Sequence, residues 1–333
     1  MKRKKTLSLA ATLSALALVL AGCSSGGGAG GTTLRLALNQ TKEHPSFVAL
    51  DNFGNRLSKA TSGRWDIEVY PNETLGAQQE AIQLVSDGTV DMAIVSGTQL
   101  ANLNKDFRVF NLPQVFDSIE HQMNVVNNPD IVGDLYSSLE DQNLTVLGGF
   151  TQGARSLYTS KGPITKPADL AGMKIRVQES DIHTKMIELM GGSATPMAYG
   201  EVYTALQSGV LDGAENNEVS YVSQKHHEVA KHYSYTNHLI GVDYLIMNTD
   251  RLAEMSAEDR AAFDREWQVA IQEHTELWKT ATEEAIAEAK ADGAQFHEVN
   301  TEAFSKALQP LIDESLTTDT ARRLYEAAQS AAP

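Results

Sequence analysis

Residues 34–70 read LRLALNQTKEHPSFVALDNFGNRLSKATSGRWDIEVY, and the fold follows from how this stretch changes period. Leu34, Leu36 and Leu38 alternate with Arg35, Ala37 and Asn39, the two-residue period of a strand. The strand ends at Asn39-Gln40, and a loop containing His44-Pro45 follows. Phe47, Leu50, Phe53 and Leu57 then recur at three- and four-residue steps, which predicts a helix over about 46–61 closed by Ser62-Gly63. Trp65–Tyr70 reads as a second strand, and a helix Ala77–Ser86, Gly88 and a strand Val90–Val95 extend the series to β-α-β-α-β. That alternation predicts an α/β fold with ligand sites beyond the strand ends.

Further along, one local pattern returns. Leu84-Val85-Ser86-Asp87-Gly88-Thr89-Val90-Asp91-Met92-Ala93 and Leu206-Gln207-Ser208-Gly209-Val210-Leu211-Asp212-Gly213-Ala214 are each a helix end, a glycine and an apolar-Asp entry into a strand. Any helix-to-strand loop favours Gly and Asp; together with the repeated alternation, the pattern predicts two similar lobes and a cleft between them. The second lobe would hold strands Leu144–Phe150, Met173–Gln178 and Leu211–Glu215 with helices about 182–190 and 201–208. Ser256 to Ala291 has no internal Pro or Gly and places Phe263, Trp267, Ile271, Leu277 and Ile286 near helical spacing, predicting one or two long amphipathic helices. A short strand Phe296–Val299 and helices Thr301–Leu311 and Thr318–Ala328 close the chain.

The N-terminus reads as an address. Lys2, Arg3, Lys4 and Lys5 precede the apolar run Leu7–Leu20, which is shorter than the roughly 20 residues of a bilayer-spanning helix and reads as a signal-peptide core. The run leads into Leu20-Ala21-Gly22-Cys23, which resembles a bacterial lipobox, so residues 1–22 are expected to be a lipoprotein signal and Cys23 the lipidated residue. The chain's single cysteine falls at that point. Residues 23–33, with their Gly and Ser run, are expected to be a flexible tether; no Gly-Lys-Ser/Thr follows to make a phosphate loop. The mature chain is expected outside the cytoplasmic membrane, lipid-anchored at the cell surface or in the periplasm.

Composition excludes several classes. The 333 residues carry 43 acids against 27 basic groups, a formal charge of −16, and an average field of that sign repels nucleic acid. One cysteine rules out a disulfide scaffold, a thiol redox pair and a multi-cysteine metal site. His226-His227-Glu228-Val229-Ala230-Lys231-His232 lacks the i, i+4 histidine spacing that aims two imidazoles at one zinc, and these histidines read as surface or packing residues. No Gly-x-Ser-x-Gly nucleophile elbow is present. The reading is therefore not an enzyme, with no metal and no cofactor, and an extracytoplasmic enzyme is kept as the less favoured class.

Binding chemistry is better represented. Met173, Ile175 and Val177 alternate with Lys174 and Arg176, which turns Arg176 away from the core near the end of its strand. It points either into a cleft or into a solvent-facing salt bridge. A guanidinium holds a carboxylate through two parallel charge-assisted hydrogen bonds. Arg155, just past Gly148-Gly149-Phe150, is a second candidate with the same two readings.

Three stretches carry a family resemblance: Gly172-Met173-Lys174-Ile175-Arg176-Val177, Gly192-Ser193-Ala194-Thr195-Pro196-Met197-Ala198-Tyr199-Gly200-Glu201, and Val210-Leu211-Asp212-Gly213-Ala214-Glu215-Asn216-Asn217. With His44-Pro45, Tyr70-Pro71-Asn72, Asp91-Met92-Ala93 and Leu112-Pro113, the chain over about 33–330 resembles the solute-binding proteins of TRAP (tripartite ATP-independent periplasmic) transporters. The resemblance implies a two-lobed periplasmic-binding-protein fold of type II-like form, with a central cleft and a long helix linking the lobes. Lobe I would comprise 34–152 plus about 242–281, and lobe II 153–241 plus about 282–330. It implies a monomer that closes on an organic acid and delivers it to a membrane permease. It also implies that Arg176 pairs with the ligand carboxylate, that Arg155 is a second arginine of the site, and that Asn216 and Tyr199 line it. Tyr199 alternatively serves as a packing staple ahead of its helix. The chain departs from the family pattern at Asn217, where many members have proline, and at Gly153-Ala154-Arg155-Ser156, where many have an aromatic beside the arginine.

Glu179, Ser180, Asn39 and Gln40 resemble the subgroup that takes sugar acids such as uronates or aldonates, and a polyol carboxylate does present hydroxyls for such acceptors. Glu179 alternatively salt-bridges Lys174 or Arg176. A C4-dicarboxylate or a sialic-acid-type ligand stays open, the former using Arg155 as its second cation, as does a role as a ligand-sensing partner.

Overall fold

The computed structural model describes residues 31–332, so the signal segment, Cys23 and most of the tether lie outside the described residues. Leu34 and Leu36 are fully buried while Arg35 is exposed, as the alternation requires, and they form β1 (Thr32–Ala37). The other strands are β2 (Trp65–Tyr70), β3 (Met92–Ser96), β4 (Leu144–Thr159), β5 (Lys174–Val177), β6 (Ser193–Pro196), β7 (Gly213–Asn216), β8 (His232–Asn248) and β9 (Gln295–His297). They make one sheet in the order β2-β1-β3-β8-β4-β7-β5-β6, with β9 also paired to β8. β1 runs parallel to β2 and β3, and β5 runs parallel to β6 and β7. The antiparallel pair β4 and β8 lies between these two parallel groups and joins them. This is the two-lobed periplasmic solute-binding fold, its lobes built on one continuous sheet.

The repeated helix-to-strand pattern does the same work in both lobes. The Asp91 carboxylate accepts the backbone N–H of Arg35 at 2.8 Å, and the Asp212 carboxylate accepts that of Lys174, also at 2.8 Å. Each aspartate's own N–H donates to the carbonyl of the same partner residue. Gly88 (φ 78°) and Gly209 (φ 73°), each two residues past the end of its helix, take the left-handed conformation that turns the chain out of the helix.

The first helix, Pro45–Ala60, buries Leu50, Phe53 and Leu57, and Phe53 meets Phe263 edge to face at 5.1 Å. Phe263 belongs to a single helix, Ala257–Ala291, of 35 residues and so roughly 52 Å long. Of the expected one or two long helices, one forms, because no helix breaker interrupts it and its buried stripe continues from Phe263 through Trp267, Ile271, His274 and Trp278 to Ala285 and Ala289. It packs on Pro45–Ala60 in one lobe and on the helix Glu218–Ser223 in the other.

Three strands differ from expectation, the shortest being β6, whose residues Ser193–Pro196 carry no strand signal. β4 does not stop at Phe150 but continues to Thr159, with register shifts against β8 between Val146 and Gly149, between Thr151 and Ala154, and between Arg155 and Leu157. The glycines that read as a strand end are irregularities inside a strand. β8 itself has no counterpart among the expected elements: Thr236, Asn237, His238, Gly241 and Asp243 interrupt its apolar pattern. Among the described residues no helix is long and apolar enough to cross a membrane.

Candidate functional site

The C-terminal ends of β1, β5 and β7 bring their residues to one cavity. Asn39, Gln40 and His44 follow β1, Arg176 and Gln178 end β5, and Asn216 and Asn217 end β7. Gln152 and Arg155 from β4, Asp243 from β8 and Trp278 from the long helix complete the wall with Gln78, Tyr199 and Ser220. The walls stand close together, leaving only about 20 Å³ for water-sized occupants between them.

The two arginines have different surroundings. Arg155 is 2% exposed and its Nε and Nη2 donate to Glu215 Oε2 and Oε1 at 2.6 and 2.7 Å. Its other donors reach the Glu215 carbonyl (2.9 Å), Gln152 Oε1 (2.7 Å) and Asn216 Oδ1 (2.8 Å), so all five N–H groups are engaged by the protein. Burial alone would raise the Glu215 carboxyl, but Arg155 together with His183 outweighs it and holds Glu215 well below the usual carboxylate range.

Arg176 is 3% exposed, and its Nε and Nη2 donate to the Met197 carbonyl at 3.0 and 2.7 Å. Its guanidinium carbon stands 5.6 Å from the centre of the Tyr199 ring. Among the described residues no carboxylate pairs with it, and burial pushes its pKa down. A buried cation without a counter-anion is costly, and an incoming carboxylate removes the cost.

Several polar atoms around Arg176 lack partners. Gln40 Oε1, His44 Nε2 and Ser220 Oγ are buried without a hydrogen bond. His44 Nδ1 accepts the Ser46 N–H at 3.2 Å, and burial lowers the His44 pKa to about 3, so Nε2 carries the proton and is a donor. The Asp243 carboxyl is pushed up to about 6 by burial, while Gln152 Nε2 donates to it at 2.6 Å. Asn216 Oδ1 accepts from Arg155 and from both the backbone and side-chain N–H of Asn217. The wall thus offers one unpaired cation among side-chain amides, a neutral imidazole donor and a high-pKa carboxyl.

Of the residues read from the sequence, Asn39, Gln40, Arg155, Arg176, Tyr199 and Asn216 meet at this cavity. Tyr199 also packs edge to face on His226 at 5.9 Å, so it combines both readings. Glu179 lines an adjoining recess with Glu73 and Gln99 that shares Arg176, Gln178 and Tyr199. It forms no ion pair with Lys174 or Arg176 among the described residues; its carbonyl accepts Asn102 Nδ2 at 3.0 Å. That bond, with Thr98 Oγ1 to Gln178 Oε1 (3.0 Å) and the Gly200 N–H to Glu73 Oε2 (3.1 Å), joins residues between 73 and 102 to residues between 178 and 200. The histidines at 226, 227 and 232 do not converge: His226 Nδ1 meets the Tyr158 hydroxyl (2.8 Å), His227 Nε2 meets Asp292 (3.1 Å) and His232 meets His297 (3.2 Å). The sequence reading did not place Gln78, Gln152, Gln178, Ser220, Asp243 and Trp278 in the site and took His44 and Asn217 only as motif positions; Gln178, directly after the Arg176 strand, was within reach of a sequence signal.

Residues 36–319 match the model of the bacterial extracellular solute-binding protein family 7. The chain belongs to this family. A relative from Chromohalobacter salexigens, a solute-binding protein, is 36% identical over 83% of this chain and 85% of its own. Among solved structures, a TRAP periplasmic solute binding protein from Anaerococcus prevotii with bound D-glucuronate is 37% identical, covers 90% of this chain and 98% of its own, and superposes with a TM-score of 0.88. One from a Bradyrhizobium species, in complex with D-galacturonate, is 33% identical over 90% and 100% of the two chains, with a TM-score of 0.86. The family-7 fold, the TRAP class and solute binding outside the cytoplasm therefore describe this protein.

Proposed function

We propose that this solute-binding protein captures a sugar acid of the uronate or aldonate type and delivers it to a TRAP permease without chemical change. The observation that carries the reading is Arg176, buried with no carboxylate partner among the described residues, beside the unpartnered Gln40 Oε1, His44 Nε2 and Ser220 Oγ. Arg176 takes the ligand carboxylate; Asn39, Gln40, His44 and Asn216 meet its hydroxyls, with Tyr199 as a wall and Glu179 an acceptor from the adjoining recess. The uronates bound by the Anaerococcus and Bradyrhizobium proteins support this class. A C4-dicarboxylate is less favoured, because a second carboxylate needs a second free cation and the donors of Arg155 are engaged by Glu215, Gln152 and Asn216.

Lobe I, 34–152 plus about 242–281, and lobe II, 153–241 plus about 282–330, close on the ligand. The protein acts as a monomer, exported and held by a lipid on Cys23 at the end of the 23–33 tether. Calorimetric titration with D-glucuronate, D-galacturonate, D-gluconate, D-glucose, succinate and sialic acid tests the ligand class. Binding of a uronate with no response to D-glucose is the expected result. Binding of succinate or sialic acid with silence toward uronates and aldonates overturns the sugar-acid reading.

A further inference from the structure

Outside the cavity, a surface groove runs between the turn of helix His226–Val229 and the last third of the long helix. Glu284, Glu288 and Asp292 follow at four-residue steps on that helix and all line the groove. Stacked like charges at this spacing repel one another. Among the described residues neither Glu284 nor Glu288 has an ion-pair partner, and Asp292 meets only His227, whose Nε2 lies 3.1 Å from its Oδ2. His227 is 2% exposed, and its Nδ1 faces the Tyr221 carbonyl at 3.5 Å. One ligand atom each from His227, Glu288 and Asp292 lies within 4.8 Å of the other two.

We propose that His227, Glu288 and Asp292 form a binding site for a divalent transition metal of the zinc type. In a tetrahedral shell with bonds of roughly 2 Å, ligand atoms stand about 3.3 Å apart, close to the His227–Asp292 separation. One imidazole and two carboxylates suit zinc or its neighbours and leave a fourth position for water. An imidazole ligand commonly donates its other N–H to a carbonyl, the position Tyr221 occupies. A simple ion pair would need one acid; here two acids of one helix face the same buried imidazole. The Lys231 ammonium reaches the Asp292 carbonyl at 3.2 Å and Lys225 lines the groove, so the site is not purely anionic. Because Asp292 caps the long helix, a bound metal would fasten that end to the segment after β7.

The test is a calorimetric titration of zinc chloride into the protein after EDTA treatment and dialysis, near pH 7. One equivalent should bind with a dissociation constant below about 10 μM. Glu288→Gln, at an exposed position that leaves the fold intact, and His227→Gln should each weaken binding by about tenfold or more. His297→Gln, in the separate pair His297 makes with His232, should leave it unchanged. The proposal is overturned if the wild type fails to bind at about 100 μM, if Glu288→Gln binds as the wild type does, or if the loss occurs in His297→Gln instead.

Discussion

Arg176 owes its character to one position in a strand. The odd residues of 173–177 go to the core, and the even position nearest the strand's end puts its guanidinium into the cavity with only the Met197 carbonyl to hold it. Arg176→Ala should weaken a carboxylate ligand by about 2–5 kcal/mol, the usual effect of truncating one side of a desolvated charge pair. Calorimetry checks this, and a variant binding within about threefold of the wild type would remove Arg176 from the site. Glu179→Gln should weaken a hydroxylated acid more than a plain dicarboxylate, and equal losses would count against Glu179 as a hydroxyl acceptor. Arg176 was legible because alternation and a motif agreed on it. Gln152 and Asp243 were not, because each lies in a stretch whose polar residues break the strand pattern and only the fold pairs them, at 2.6 Å.

Among the elements, the long helix and β4 depend on each other. Gly153 adopts φ 63°, and a Cβ there would stand 2.6 Å from the indole nitrogen of Trp278, which lines the cavity. Gly153→Ala should cost about 1–3 kcal/mol of stability and, by displacing the indole, weaken ligand binding as well. Thermal unfolding with and without ligand checks both effects, and a variant unchanged in both would remove Gly153 as a constraint. At the helix start, Ser256 Oγ accepts the Asp259 N–H at 3.1 Å. Ser256→Ala should lower stability by about 0.5–2 kcal/mol, read by denaturant titration. Helices Pro45–Ala60 and Ala257–Ala291 and strands β1, β2, β3, β5 and β7 were legible because each carries an apolar repeat or run with a clear stop, whereas β6, with none of its four residues fully buried, carries no such signal. β8 was not: it is buried on both sides over most of its length and carries polar side chains that serve the site, so no single period runs through it.

At the scale of the whole molecule, buried neutral histidines set the response to acid. Burial lowers His44 and His226 from 6.5 to about 3, and lowers His183 and His274 as well. Above pH 6.5 these groups are neutral folded or unfolded and contribute nothing. Below it the unfolded chain takes up protons that the fold refuses, so stability falls. His44 and His226 together should cost on the order of 4 kcal/mol at pH 5. Asp243 acts oppositely: its raised pKa makes the folded state hold a proton between about 4 and 6, which returns roughly 1 kcal/mol at pH 5. With His183 and His274 adding in the same direction, the expected outcome is a net loss of at least about 3 kcal/mol from pH 7 to pH 5, measured by urea unfolding at both values. Stability that held or rose over that interval would contradict the neutral state of the buried imidazoles.

The position of β8 has a consequence for biosynthesis. In the finished sheet Met92 pairs with Met247, and β4 also takes its partner from β8. A chain emerging N-terminus first therefore keeps β3 and β4 without their shared neighbour until nearly three-quarters of it has appeared. Contacts so distant along the chain close slowly. Until that last long strand arrives, the two parallel groups of the sheet have nothing to join them.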